Sequence, residues 1–192
     1  MLTRCPWAET HPLLQAYHDV EWGVRTDDRY RLFEFLVLEG AQAGLSWITV
    51  LKRRTAYRQA WADFRPEVVA TWNEDRVTDL LHEPGLIKNQ AKIRSVLINA
   101  RAFLCVEEEF GSFKRYLTHL VGTDAIVHHY HSSTEIPAYD QTATQLSRDL
   151  HQRGFQFVGP TICYSYLQAV GVMMDHLVGC FRYDELAQAS VN

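Results

Sequence analysis

An all-α fold is what this chain of 192 residues predicts, and three observations carry it. Apolar residues recur at three- and four-residue spacing along most of the length. The breaks between these stretches are made by capping and turn residues, among them Asp28, Ser46, Pro66, Gly111 and Thr161. Two of the helical patterns also meet across the tight turn Glu83-Pro84-Gly85-Leu86-Ile87-Lys88-Asn89, which reads as a hairpin of helices.

Taken in order, residues 1–12 are irregular, with Pro6 and Pro12, and a short helix over 13–19 carries Tyr17 and His18. Glu21-Trp22-Gly23-Val24 forms a turn, and Thr26-Asp27-Asp28 caps a helix running toward Glu39, with Leu32, Phe33, Leu36 and Val37 on its apolar face. Gly40 and Gly44 interrupt that helix. Ser46 caps the next one, which turns Lys52, Arg53, Arg54 and Arg58 outward. Helices over 66–72, 74–82 and 90–106 follow, then one starting near Gly111 and Phe113. His128-His129-Tyr130-His131 reads as a solvated loop rather than a metal site, because adjacent side chains diverge. A helix over 141–152 and a turn or short extended piece over 153–160 precede a last long helix, capped by Thr161 and reaching His176.

Length and composition fit one folded domain with a substantial core. No apolar run approaches a membrane span and no signal-peptide pattern opens the chain, so a cytoplasmic protein without membrane contact is expected. The net charge of −4 gives no support to nucleic-acid binding by the chain as a whole. Basic residues do cluster locally, at Lys52 to Arg58 and at Lys88, Lys92, Arg94 and Arg101. The four cysteines make disulfides a poor expectation, and Cys105 and Cys163, set among apolar neighbours, read as buried thiols.

Three constellations carry chemistry. Glu39 falls near a helix C-terminus beside Leu38, Leu45 and Trp47, where a carboxylate faces the negative end of the helix dipole and loses hydration. It is met there by an arginine, by solvent, or by a cationic ligand for which Glu39 and Trp47 would make floor and wall. In the hairpin, Gly85, Lys88, Asn89 and Lys92 suit a phosphate held by backbone amides at a helix start, although an ordinary helical hairpin with a solvated basic face has the same pattern. His176 and Cys180 are four apart, one turn of a helix, and with Cys5 and His18 they make a Cys2His2 set that would close a structural zinc site, although His176 alone reads equally as a satisfied interior histidine. Such a site would staple the N-terminal arm to the last helix.

Cys5-Pro6-Trp7, Tyr17-His18-Asp19-Val20-Glu21-Trp22-Gly23-Val24, Leu38-Glu39-Gly40-Ala41-Gln42-Ala43-Gly44-Leu45-Ser46-Trp47 and Arg153-Gly154-Phe155 through Cys180 together resemble the DNA-3-methyladenine glycosylase I family, constitutive alkylation-repair enzymes of bacteria. The likeness runs from Cys5 to Cys180. It implies a helix-hairpin-helix glycosylase fold with zinc-stapled termini, acting on alkylated double-stranded DNA; a monomer is expected. It implies structural zinc on Cys5, His18, His176 and Cys180, recognition of the flipped base by Glu39 as the catalytic-site carboxylate, and a pocket lined by Tyr17 and Trp47 with Trp7 and Trp22 close by. Ser165 is a further pocket candidate. The hairpin offers neither an Asp nor a Schiff-base lysine, which implies excision without strand cleavage. Leu14 and Pro160 depart from the family pattern, where a Tyr and a Thr are common.

Overall fold

The buried backbone of the molecule is a helix that has almost no solvated face. In the computed structural model, which describes residues 2–189, a 3-10 turn (Pro6–Thr10) leads to α1 (Pro12–Val20) and then to this helix, α2 (Arg29–Gln42). Asp28 starts α2, its Oδ1 accepting hydrogen bonds from the amides of Tyr30 and Arg31 at 2.8 and 2.9 Å. Every residue from Phe33 to Ala41 is buried, including Glu34 and Glu39. A helix apolar nearly all round must sit inside other elements, and each fully enclosed Phe or Leu on it contributes about 1.5–3 kcal/mol of burial.

The surrounding elements are α3 (Trp47–Leu51), α4 (Arg54–Ala60), α5 (Pro66–Val69), α6 (Glu74–His82), α7 (Gln90–Phe110), α8 (Phe113–Val121), α9 (Gln141–Gln152), α10 (Pro160–Ala169) and α11 (Phe181–Ala189). Helices α3, α7, α8 and α10 pack directly on α2, and α9 packs on α10. The strands among the described residues are β1 (Ile126–Val127) and β2 (Met173–Met174), a parallel pair with Ile126 opposite Met173. The all-α expectation therefore holds, with this short pair as its one exception. Trp61 is enclosed in the core, stacked on Trp72 at 5.9 Å.

Between α6 and α7, the hairpin turns at Gly85, whose φ is +86° and whose added Cβ would lie 2.6 Å from the Cβ of Ala56. Only glycine meets both conditions, and the turn thereby lies directly on α4. Asn89 caps α7, its Oδ1 accepting from the Lys92 amide at 3.1 Å.

Several expectations need correction. The last long helix ends at Ala169, not at His176. Gly171 follows with φ +70°, its α-carbon pressed so close to Val24 and Arg25 that a Cβ would sit 2.2 Å from the Arg25 amide nitrogen. Val172 to Met174 then run extended beside β1. A continuous apolar run cannot be assigned to helix or strand by periodicity, and here the buried strand wins. His176 and Cys180 are accordingly not on one helix. Gly40 does not interrupt α2, which reaches Gln42, and the chain turns at Gly44. The helix after Ser46 is two helices, and Ser46 Oγ meets Thr49 Oγ1 rather than a backbone amide. Cys105 is exposed, since it lies on the outer face of α7. His128 to His131 are tied down by Asp175, Tyr183 and Glu135, not simply solvated.

Candidate active site and metal centre

A cavity of about 580 Å³ opens between α1, the end of α2, α3 and α10. Trp7, Tyr17, Trp22, Glu39, Trp47 and Ser165 all border it, so the six residues expected around a base come together from four separate stretches of chain. Tyr17 and Trp47 form one wall, their rings 5.2 Å apart, and Trp7 and Trp22 form another at 5.1 Å, nearly perpendicular. Sequence reasoning did not assign Thr10, Gln42, Ile48, Ser133, Ile136 and Gln168 to this lining. Ser133 and Ile136 come from a segment with no helical period; the isolated apolar Ile136 in a polar stretch was the available signal.

Glu39 is 3% exposed, and its Oε2 has no hydrogen-bond partner. Glu34, one and a half turns earlier on the same helix and 2% exposed, makes the contrast. Its Oε1 accepts from Arg54 Nε and from Arg58 Nη2, both at 2.8 Å. The arginine reading thus applies to Glu34 and not to Glu39. Burial alone pushes the Glu39 carboxyl up to about 8. Trp47 Nε1 is likewise enclosed without an acceptor. Enclosed polar atoms lacking partners are uncommon in folded proteins, and two of them on residues that line one aromatic cavity point to a ligand.

Next to the Trp7 and Trp22 wall, Cys5, His18, His176 and Cys180 are all buried, their ligand atoms within 4.8 Å of one another. His18 Nε2 lies 3.2 Å from His176 Nδ1 and 3.4 Å from Cys180 Sγ, while His176 Nδ1 lies 3.6 and 3.8 Å from the sulfurs of Cys180 and Cys5. A tetrahedral zinc with ordinary bond lengths requires edges of about 3.3 Å between nitrogens and about 3.6 Å between nitrogen and sulfur. The outward nitrogens are committed elsewhere: His18 Nδ1 to Asp19 Oδ1 at 2.8 Å, and His176 Nε2 to the Trp22 carbonyl at 2.9 Å. Those contacts fix the tautomers that turn the free nitrogens inward. The Leu177 amide donates to Cys5 Sγ at 3.5 Å. The cluster forms without the expected helix because the turn from Leu177 to Cys180 brings the thiol back.

The hairpin residues divide. Lys88 is exposed, with Nζ on the Glu83 carbonyl. Lys92 is buried, and its ammonium donates to the carbonyls of Ala41 and Ala43 at 2.9 and 2.6 Å. It neutralises the C-terminal end of α2, two residues past Glu39, rather than facing outward to a phosphate. Burial draws its pKa down. Most of the other basic side chains are engaged too: Arg54 with Glu21 and Glu34, Arg94 with Glu74, Arg101 with the Ala70 and Trp72 carbonyls. Leu45, on the turn between α2 and α3, is an exposed apolar side chain next in sequence to Ser46, which lines the cavity.

The model of the methyladenine glycosylase family matches residues 7–183. This chain belongs to that family. Among curated glycosylases, it is 44% identical over 182 residues to DNA-3-methyladenine glycosylase 1 of Escherichia coli strain K12, covering 95% of this chain and 97% of that one. A crystal structure of 3-methyladenine DNA glycosylase I superposes with a TM-score of 0.90 at 44% identity, covering 93% of this chain and 98% of the other. A Tyr→Phe variant of 3-methyladenine DNA glycosylase I in complex with 3-methyladenine superposes equally well, TM-score 0.90, at 35% identity over 93% and 96% of the two chains.

Two expectations follow for this glycosylase. Between about pH 4.5 and 8 the folded state holds a proton on Glu39 that the unfolded chain releases, so Glu39 removes stability as pH rises through that window. Glu39→Gln, which cannot titrate, is expected to match the wild type below pH 4 and to exceed it by a few kcal/mol above pH 8, the gap widening by about 1.4 kcal/mol for each pH step of one across the window. Denaturant melts across this range check it; a pH-independent difference contradicts it. Lys92→Met is expected to lower stability by about 1–3 kcal/mol and to leave the salt dependence of DNA binding unchanged. A lysine on a phosphate would reduce the slope of log K against log salt by about 0.9.

Proposed function

We propose that the cavity receives a 3-methyladenine base turned out of alkylated duplex DNA, and that water then replaces the base at the anomeric carbon, leaving the strand intact. Taking the nucleotide out of the stack is necessary because its glycosidic bond is out of reach inside a duplex, and a damaged pair opens at lower cost. Methylation at N3 gives the base a formal positive charge. As the bond breaks, its electron pair passes to the base, which departs neutral, so no acid is needed at the leaving group. The protein's task moves to recognition.

The observation that carries this reading is the enclosed, unpartnered carboxylate of Glu39 in an aromatic cavity. A cationic base supplies the missing counter-charge, and the carboxylate accepts hydrogen bonds from its amino edge. The rings of Tyr17 and Trp47 add cation–π attraction of about 0.5–2 kcal/mol, and Trp7, Trp22 and Ser165 complete the lining. Normal adenine brings no charge and leaves the buried group without compensation. No lysine lines the cavity among the described residues, which supports hydrolysis by water over a Schiff-base route.

The hairpin of α6 and α7 serves, on this reading, as a helix-hairpin-helix DNA contact. Its backbone at Gly85, the start of α7 at Asn89 and the ammonium of Lys88 meet a phosphate, and Leu45 fills the space that the flipped base vacates. Zinc on Cys5, His18, His176 and Cys180 is structural, with no coordination position left for water. The enzyme acts as a monomer in the cytoplasm.

Methylated duplex DNA tests the activity. Free 3-methyladenine is released, and nicks form only after abasic sites are cleaved chemically. Glu39→Gln lowers the rate on 3-methyladenine by about 10–100-fold and narrows the preference over adenine; an unchanged rate and preference refute the role of Glu39. For the metal, one zinc per chain is expected in natively prepared protein. Its removal by chelation, or Cys180→Ser, lowers the melting temperature by about 10 °C and abolishes binding of free 3-methyladenine through loss of the Trp7 and Trp22 wall. Full stability without metal would contradict the assignment.

A further inference from the structure

On α10, Gln168 borders the cavity one turn beyond Ser165 and is 9% exposed. Its Nε2 donates to Asp175 Oδ2 at 2.7 Å. Asp175 is wholly enclosed; Tyr164 Oη donates to the same oxygen at 2.6 Å, and His128 Nδ1 stands 2.6 Å from Oδ1. A carboxylate only accepts, so the nitrogen of the Gln168 amide must face it, and a flipped amide would set oxygen against oxygen. Gln168 Oε1 is thereby turned away from Asp175. It has no hydrogen-bond partner among the described residues and is not one of the fully enclosed polar atoms, so it keeps accessible surface on a side chain that lines the cavity.

Charge does not distinguish all the lesions this cavity would meet. Methylation at N3 places the same formal positive charge on adenine and on guanine, and Glu39 attracts both. The two differ at position 6, where adenine carries an amino donor and guanine an oxygen acceptor. We propose, resting on the reading of the cavity as a methylpurine pocket, that Gln168 is a second specificity-determining residue, which accepts the 6-amino hydrogen that Glu39 leaves free and opposes a 6-oxo group. Asp175 is its positioning residue: it holds the amide in the one orientation that presents an acceptor. Tyr164 and His128 fix Asp175 in turn, which gives the anchored loop after β1 a part in substrate choice. A site built to accept a hydrogen bond rejects a ligand that brings a second acceptor, because both oxygens lose their donors.

Duplex DNA treated with a methylating agent contains both 3-methyladenine and 3-methylguanine, and the released bases can be separated by chromatography for wild type, Gln168→Met and Asp175→Asn. Asp175→Asn frees the amide to turn its nitrogen toward O6 and is expected to raise the ratio of 3-methylguanine to 3-methyladenine released by about tenfold. Gln168→Met removes the acceptor and is expected to raise it about threefold. A disturbance of folding alone would lower both products together without moving the ratio. Asp175 adjoins His176, so zinc content is measured alongside; if Asp175→Asn loses its metal, Gln168→Met decides. Ratios unchanged from wild type in metal-loaded variants overturn the inference, while a wild type that releases no 3-methyladenine overturns the functional reading beneath it.

Discussion

Enclosing the Glu39 carboxylate without a partner works against folding, since an uncompensated buried charge is destabilising by several kcal/mol unless the group takes up a proton. Helix α2 carries both solutions to this problem. Glu34 is answered by Arg54 and Arg58 from α4, a permanent internal pairing. Glu39 faces an aromatic cavity, and burial holds its proton on up to about pH 8. Near neutral pH the carboxyl therefore avoids the charge by protonation, and on the proposed function a cationic base would restore it. Selectivity follows from the same energetics: the ligand that stabilises the ionised form is the one that carries the opposite charge.

The rest of the molecule holds that carboxylate among its rings. The four candidate metal ligands pack on the pocket wall, with His18 5.4 Å from Trp7 and His176 4.6 Å from Trp22. His176 also bonds the Trp22 carbonyl, so the ligand that would bind the ion and the ring that lines the cavity are fixed together. From the other side, Lys92 ties the last carbonyls of α2 to the start of α7 and so links the hairpin to the pocket floor. The basic side chains that give the sequence its nucleic-acid look are for the most part spent inside the protein.

What could be read from the chain differed by residue. Glu39 was legible because a carboxylate among apolar and aromatic residues is anomalous, and Cys5, His18, His176 and Cys180 because four ligand-type residues had no other employment. The helices over 74–82 and 141–152 were legible from period and caps, and the structure has them at Glu74–His82 and Gln141–Gln152. The end of α10 was not, because Val170 to Met174 are buried on all sides and a run apolar at every position carries no period. Lys92 was misread since its charge says nothing about which way a long stem points. Gln168 and Asp175 escaped notice because their roles arise from each other: neither residue type is unusual alone, and their contact joins α10 to the segment after β2.

Carbon-13 NMR of the Glu39 carboxyl tests the central claim most directly. In the free protein it is expected to titrate with a midpoint near pH 8, and at pH 7 addition of the 3,9-dimethyladeninium cation, which keeps the positive charge that the released base loses, is expected to move its signal to that of an ionised carboxylate. A midpoint near 4.5, the ordinary range for a solvated or arginine-paired glutamate, with no response to the cation, would contradict the account.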